Sequence, residues 1–250
     1  MEFDVAATFN DDYLYFYAES IDDGHSDDDT AEVLGHLELE PGARILDAPC
    51  GHGRIARRLA AAGMEVVGVD LSEQFLEMAA AEAVPGAGSV DYFFGDLRHL
   101  PEAVAMAGPY DAVVCWYASF GYWDDEGCHR VLEEFHRVLR PGGTVLIESM
   151  HHDGSVRHFT NEPDAVVVTR GDDAQIDRYH WDPLGGRMET QRTVHRGGGV
   201  RRSTHFMRLP TPPEWVAWLE AAGFCDVQFF AGGGGPLELD SWVIVVRATA

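Results

Sequence analysis

The chain has 250 residues, 46% of them hydrophobic, enough to bury a large core in one domain with room for an insertion. Its 18 basic residues stand against 42 acidic ones for a formal charge of −24, so a bare nucleic acid or an anionic membrane surface would be repelled over most of the molecule. No apolar run approaches the roughly 20 residues of a membrane span, and no basic n-region with an apolar stretch opens the sequence, so a cytoplasmic location is expected.

Residues 1–30 mix aromatics (Phe9, Tyr13, Tyr15, Phe16, Tyr17) with an acidic run from Asp22 to Asp29, and read as an arm or lid that ends at a helix cap, Thr30. From residue 31 the rhythm is that of a doubly wound sheet. A helix over 31–38 precedes an apolar strand at 44–46, then a glycine turn leads into a helix over 53–62. A second strand, 65–69, ends at Asp70, and Ser72 caps a helix to about Ala83. A third strand over 90–94 ends at Gly95 and Asp96. A fourth, 110–115, leads through Trp116-Tyr117-Ala118-Ser119-Phe120-Gly121-Tyr122 into a helix over 125–139, and a fifth occupies 144–148.

Past residue 155 the apolar period changes to two. Segments at 165–169, 175–181, 187–194 and 201–209, with glycine turns at 185–186 and 197–199, predict an antiparallel meander inserted over 155–210. A helix over 212–222, opened by Pro212 and Pro213, precedes two last strands at 226–230 and 241–247 that should pair as a hairpin. The expected fold class is therefore α/β: a Rossmann-like doubly wound seven-stranded sheet, mostly parallel with an antiparallel last strand, plus an antiparallel β insertion. The boundaries are an arm over 1–30, a core over 31–154, the insertion, and a C-terminal part of the core over 211–250.

Four cysteines, Cys50, Cys115, Cys128 and Cys225, lack CxxC or zinc-ligand spacing, so reduced thiols and no metal site are expected. Every basic side chain is Arg; without Lys, lysine-based covalent chemistry is ruled out.

Chemistry concentrates at Ile45-Leu46-Asp47-Ala48-Pro49-Cys50-Gly51-His52-Gly53, an apolar strand ending in an acid, then a tight glycine turn and a helix N-terminus. Dinucleotide sites use a similar turn and an acid about 20 residues on, as Asp70 is here. A carboxylate at the strand end would repel their pyrophosphate and attract a sulfonium or an ammonium; the dinucleotide pattern's third glycine is also Ala56 here. A nicotinamide oxidoreductase is thereby disfavoured.

With Phe94-Gly95-Asp96-Leu97 and Leu139-Arg140-Pro141-Gly142-Gly143 in order behind it, the pattern resembles the class I S-adenosylmethionine-dependent methyltransferases, and more loosely the small-molecule enzymes of actinobacterial natural-product pathways. The resemblance implies S-adenosyl-L-methionine as cofactor and S-adenosyl-L-homocysteine as product. It also implies that Asp47, Pro49, Gly51 and Gly53 bind the methionyl part, Asp70 with Leu71 the ribose, and Asp96 with Leu97 the adenine. Cys115 and Tyr17 complete the expected cofactor contacts. Pro49 departs from the family's glycine and offers no N–H.

The acceptor is expected at the carboxyl ends of the strands, among Trp116, Tyr117, Ser119, Phe120 and Tyr122 and the residues after strand five. His151 and His152 are the candidate bases, with Tyr117 as a third catalytic candidate. His205 and the other histidines of the meander read as packing or surface residues. The resemblance makes the insertion a substrate cap or dimer face, and its Arg187, Arg192, Arg196, Arg201 and Arg202 could hold an anionic acceptor or a second copy of the chain. The expected function is O- or N-methylation of a small molecule in secondary metabolism. The alternative is a protein whose S-adenosylmethionine is structural or assists another reaction.

Overall fold

The computed structural model describes residues 4–84, 86–161 and 165–250. Residues 1–3 of the expected arm and 162–164 of the expected insertion lie outside the described residues. In chain order the arm forms α1 (Val5–Thr8) and α2 (Asp11–Tyr17), followed by α3 (Asp23–Leu37). The core then alternates β1 (Arg44–Asp47), α4 (Arg54–Ala61), β2 (Glu65–Asp70), α5 (Glu73–Ala81), β3 (Ser89–Phe94), α6 (Glu102–Ala107), β4 (Tyr110–Cys115), α7 (Asp125–Val138) and β5 (Leu139–Met150). After α8 (His152–Asn161) come the four inserted strands β6 (Val166–Arg170), β7 (Asp173–Asp182), β8 (Arg187–Arg196) and β9 (Gly199–Arg208). The chain closes with α9 (Pro212–Ala222), β10 (Cys225–Ala231) and β11 (Val243–Thr249).

Seven strands form one sheet in the order β3-β2-β1-β4-β5-β11-β10. The first five are parallel, while β11 runs antiparallel to both β5 and β10, the expected closing hairpin. Alternation along each strand builds two cores. Leu46, Val67, Val69, Val113 and Val246 face one layer of helices, and Ile45, Val66, Ala112, Val114 and Val245 face the other. Burial on both faces is why these strands read as continuous apolar runs. The strand order reverses at β1, which lies between β2 and β4, and a crevice opens there at the carboxyl ends.

The inserted strands form a separate antiparallel meander, β6-β7-β8-β9. Met188, Met207 and Leu209 from it pack with Ala118, Tyr122 and Met150 of the core, which sets the meander over one side of the crevice.

Two expectations shift. The helix expected from residue 31 begins at Asp23, inside the acidic run assigned to the arm. Asp22 caps it, accepting the His25 N–H at 2.9 Å, and acidic residues suit a helix N-terminus. Its carboxylates meet α4, where Arg58 pairs with Asp23 and Asp27, and Arg54 with Asp29. The acidic run is thus one face of a helix. The residues after strand five are also helical, since α8 starts at His152 directly behind β5.

Candidate active site

At the crevice, β1 delivers Asp47 and the following turn wraps around the end of β2. Cys50 N–H donates to Val69 O and Gly51 N–H to Asp70 Oδ2, while Asp70 Oδ1 accepts from Ser72 N–H. One carboxylate therefore ties both loops together. Gly51 and Gly53 adopt φ of +54° and +76°, the left-handed region. At Gly53 a side chain would also collide with the Tyr92 hydroxyl, so helix α4 can begin here only from a glycine.

The resulting cavity encloses about 830 Å³, part of it open to solvent. Its floor includes Asp47, Pro49, Gly51, Asp70 and Leu71; Leu97, Phe75 and Tyr117 form walls, and Phe9 and Tyr13 of the arm form a roof. Asp47 is 2% exposed, and burial pushes its carboxyl up to about 7 against the opposing pull of Arg54. Its Oδ2 has no hydrogen-bond partner among the described residues. Arg54 is buried beside it: one guanidinium nitrogen donates to Asp29 at 2.6 Å, the group lies 4.6 Å from the Tyr117 ring centre, and Nη2 has no partner among the described residues. Burial, aided by Arg57 and Arg54, pulls His52 down to about 4, so this imidazole is neutral.

Glu148 lies beneath the far wall. Its carboxylate accepts the backbone N–H groups of Tyr117 and Ala118, which sit at φ of +63° and +50°. Left-handed backbone at two successive non-glycine residues costs about 1–3 kcal/mol each, and this buried acceptor holds the turn in place. Burial raises Glu148 to about 7.

Of the sequence-derived candidates, the fold gathers Asp47, Pro49, Gly51, Asp70, Leu71, Leu97 and Tyr117 around the cavity. The others lie off its lining. Gly53 is the helix cap behind it, and Cys115 is buried in the core. Asp96 is chelated by Arg98, which outweighs the upward push of burial and keeps the carboxyl low. Tyr17 accepts from Arg192 and stacks on Tyr13 at 4.7 Å, supporting the roof from behind.

Neither candidate base lines the cavity. His151 is buried where β5 meets α8, its Nδ1 donating to Ser241 O at 3.1 Å. His152 points into a different cleft beside Trp181 and Arg208, with Nδ1 2.6 Å from Asp153. The Arg-rich meander is also largely engaged within the chain. Arg196 and Arg201 both pair with Asp12 of α2, so they latch the arm to the insertion. The sequence reading passed over Arg54 and Glu148. The only local signal was a charge at an otherwise apolar helix or strand position, as in Thr144-Val145-Leu146-Ile147-Glu148.

A methyltransferase-domain family model matches residues 45–143. The Bacillus subtilis protein YqeM, named as a methyltransferase, is 33% identical over 198 residues, 74% of this chain and 75% of that protein. The chain belongs to the class I S-adenosylmethionine-dependent methyltransferases. Among solved structures, the CcbJ methyltransferase of Streptomyces caelestis aligns over 98% of both chains with a TM-score of 0.78 at 22% identity. CalS10 of Micromonospora echinaspora, solved with S-adenosylmethionine bound, aligns over 94% of this chain and 96% of its own at 0.67 and 21%. This methyltransferase shares their fold and takes S-adenosylmethionine as methyl donor. The residues fit that molecule: beside each other lie a buried carboxylate oxygen and a buried guanidinium nitrogen without partners among the described residues, as the ammonium and carboxylate of an amino-acid end require.

Proposed function

We propose that this methyltransferase methylates a hydroxyl or amine of a small-molecule acceptor, in secondary metabolism. The observation that carries the reading is closure. The mouth of the cavity is roofed by Phe9 and Tyr13, and Asp12 latches that roof to the inserted sheet, which leaves a chamber suited to a small molecule rather than to a polymer or a membrane. The strongly acidic surface agrees. The structural neighbours support it too: CalS10 is described as an amino pentose methyltransferase of calicheamicin biosynthesis, and KedS8 as a sugar N-methyltransferase.

In this reading Asp47 and Arg54 hold the amino-acid end of the cofactor, and Asp70 exchanges its loop-tying contacts for shared ones with the ribose hydroxyls. Leu71 and Leu97 flank the adenine. S-adenosylmethionine supplies a methyl group already activated on a sulfonium, so the chain's main task is alignment and exclusion of water. The aromatic walls at Tyr117 and Tyr13 also suit a cation. The Glu148 clamp keeps Tyr117 in register. The test is transfer of a tritiated methyl group from S-adenosylmethionine to a panel of small hydroxylated and aminated compounds, with a protein and an RNA as controls. Label in the small compounds alone is expected; label in a macromolecule alone would overturn the reading.

A further inference from the structure

The inserted sheet turns an unusually polar face inward. Alternate residues of β7, β8 and β9 point beneath it, among them Gln175, Asp177, Arg192 and His205. Gln175, Asp177 and Arg192 are 2%, 3% and 8% exposed. Arg192 grips Asp177 with two bonds of 2.8 Å and reaches Tyr17 at 2.9 Å, so this ion pair is internally satisfied. Gln175 donates its amide nitrogen to Asp177 at 3.0 Å. A carboxylate can only accept, which fixes the amide orientation and turns the carbonyl oxygen, Gln175 Oε1, away from it. That oxygen is buried with no partner among the described residues, and so is His205 Nδ1.

Neither group lines the methyl-transfer cavity itself, but each is one side chain away from it. Gln175 and Arg192 line a second chamber of about 710 Å³, part of it open to solvent, between α1 and the sheet, and Tyr13 is a wall of both spaces. His205 lies 6.0 Å from the ring of Tyr122, which lines the first cavity. Leaving a buried acceptor unpaired destabilises the fold, a cost that the chain recovers when a ligand supplies the donor.

We infer that Gln175 and His205 recognise the methyl acceptor, and that the acceptor carries at least two hydroxyl or amine groups. This rests on the small-molecule reading above. The oxygen of Gln175 demands a donor, which a carboxylate, an ether or an apolar ring lacks. The His205 ring nitrogen donates or accepts according to tautomer, so a hydroxyl satisfies it in either form. Burial, helped by Arg192, pulls the imidazole down to about 4 and keeps it neutral at physiological pH. Its part is recognition and positioning; the proton displaced from the methylated atom leaves to solvent with the product.

The experiment is imidazole ¹⁵N NMR of the full chain saturated with S-adenosylhomocysteine, the His205 signal being identified by its loss in His205→Phe. D-glucosamine is titrated against cyclohexylamine, which keeps the ring and the amine and lacks the hydroxyls. A saturable shift of His205 Nδ1 with D-glucosamine alone is expected. In Gln175→Leu the D-glucosamine affinity should fall about tenfold while S-adenosylhomocysteine affinity holds; because the substitution also removes the amide's bond to Asp177, both titrations are run well below the variant's melting temperature. A His205 signal that ignores D-glucosamine, or answers cyclohexylamine equally, overturns the inference. If the chain still methylates small hydroxylated compounds in that case, the small-molecule reading stands without it.

Discussion

Asp47→Asn separates what the site needs from what the fold prefers. In the folded protein burial keeps Asp47 protonated up to about pH 7, whereas in the unfolded chain it loses its proton near 3.8. Across that window the native state binds more protons, so stability falls as pH rises through it. At about 1.4 kcal/mol per pH unit, the difference sets an upper bound of about 4 kcal/mol by which the ionised carboxylate destabilises the ligand-free protein above pH 8. The Asn variant should therefore match the wild type below pH 4 and exceed it in stability, by up to that amount, at pH 8. Cofactor binding should move the other way. An ammonium needs the ionised form, so wild-type affinity for S-adenosylhomocysteine should be about tenfold weaker at pH 6 than at pH 8, and the variant should bind weakly with no such slope. Urea unfolding and calorimetric titration at the two pH values measure both. An Asn variant that keeps wild-type affinity, or shows the wild-type pH slope, would refute the assignment of the strand-end acid to the ammonium.

Four further outcomes follow from the same geometry. Arg54→Met removes the partner of Asp29 and the unpaired Nη2, and should weaken S-adenosylhomocysteine binding more than tenfold in calorimetry while lowering stability by about 2 kcal/mol. Glu148→Ala releases the left-handed turn at Tyr117 and Ala118; about 1–3 kcal/mol of stability should be lost, and kcat should fall further than cofactor affinity. Gly68→Ala would put a methyl 2.7 Å from the Tyr92 ring and 2.9 Å from Cys50 Sγ, and the urea midpoint should report about 1–3 kcal/mol of destabilisation. His152→Ala should leave methyl transfer and its pH profile unchanged, because the imidazole faces a separate cleft; loss of turnover there would restore it as a base.

Much of the cofactor half is written locally. Strands buried on both faces have to be continuous apolar runs, Ser72 and Thr211 cap their helices through their own side chains, and the left-handed turn at Gly51 and Gly53 favours glycine. The position of Asp47 and Asp70 at the crevice was legible because each ends a strand of the doubly wound pattern just before the chain turns into a helix. The meander was legible as well, since a period of two survives on a sheet with one covered face.

Sequence shows charge and not its partner: Asp23, Asp27 and Asp29 read as part of an arm or lid, whereas in the fold they face Arg54 and Arg58 of α4. The sequence by itself determined the doubly wound core, the glycine turn and the two acids, because each follows from backbone sterics or periodicity within a few residues. Tertiary structure alone decided that Tyr17 meets Arg192 across 175 positions, that Asp12 meets Arg201 across 189, and that Gln175 and His205 look inward while His152 looks away. Such contacts depend on how the arm and the insertion dock on the core, and a pairing between distant segments leaves no period in either one.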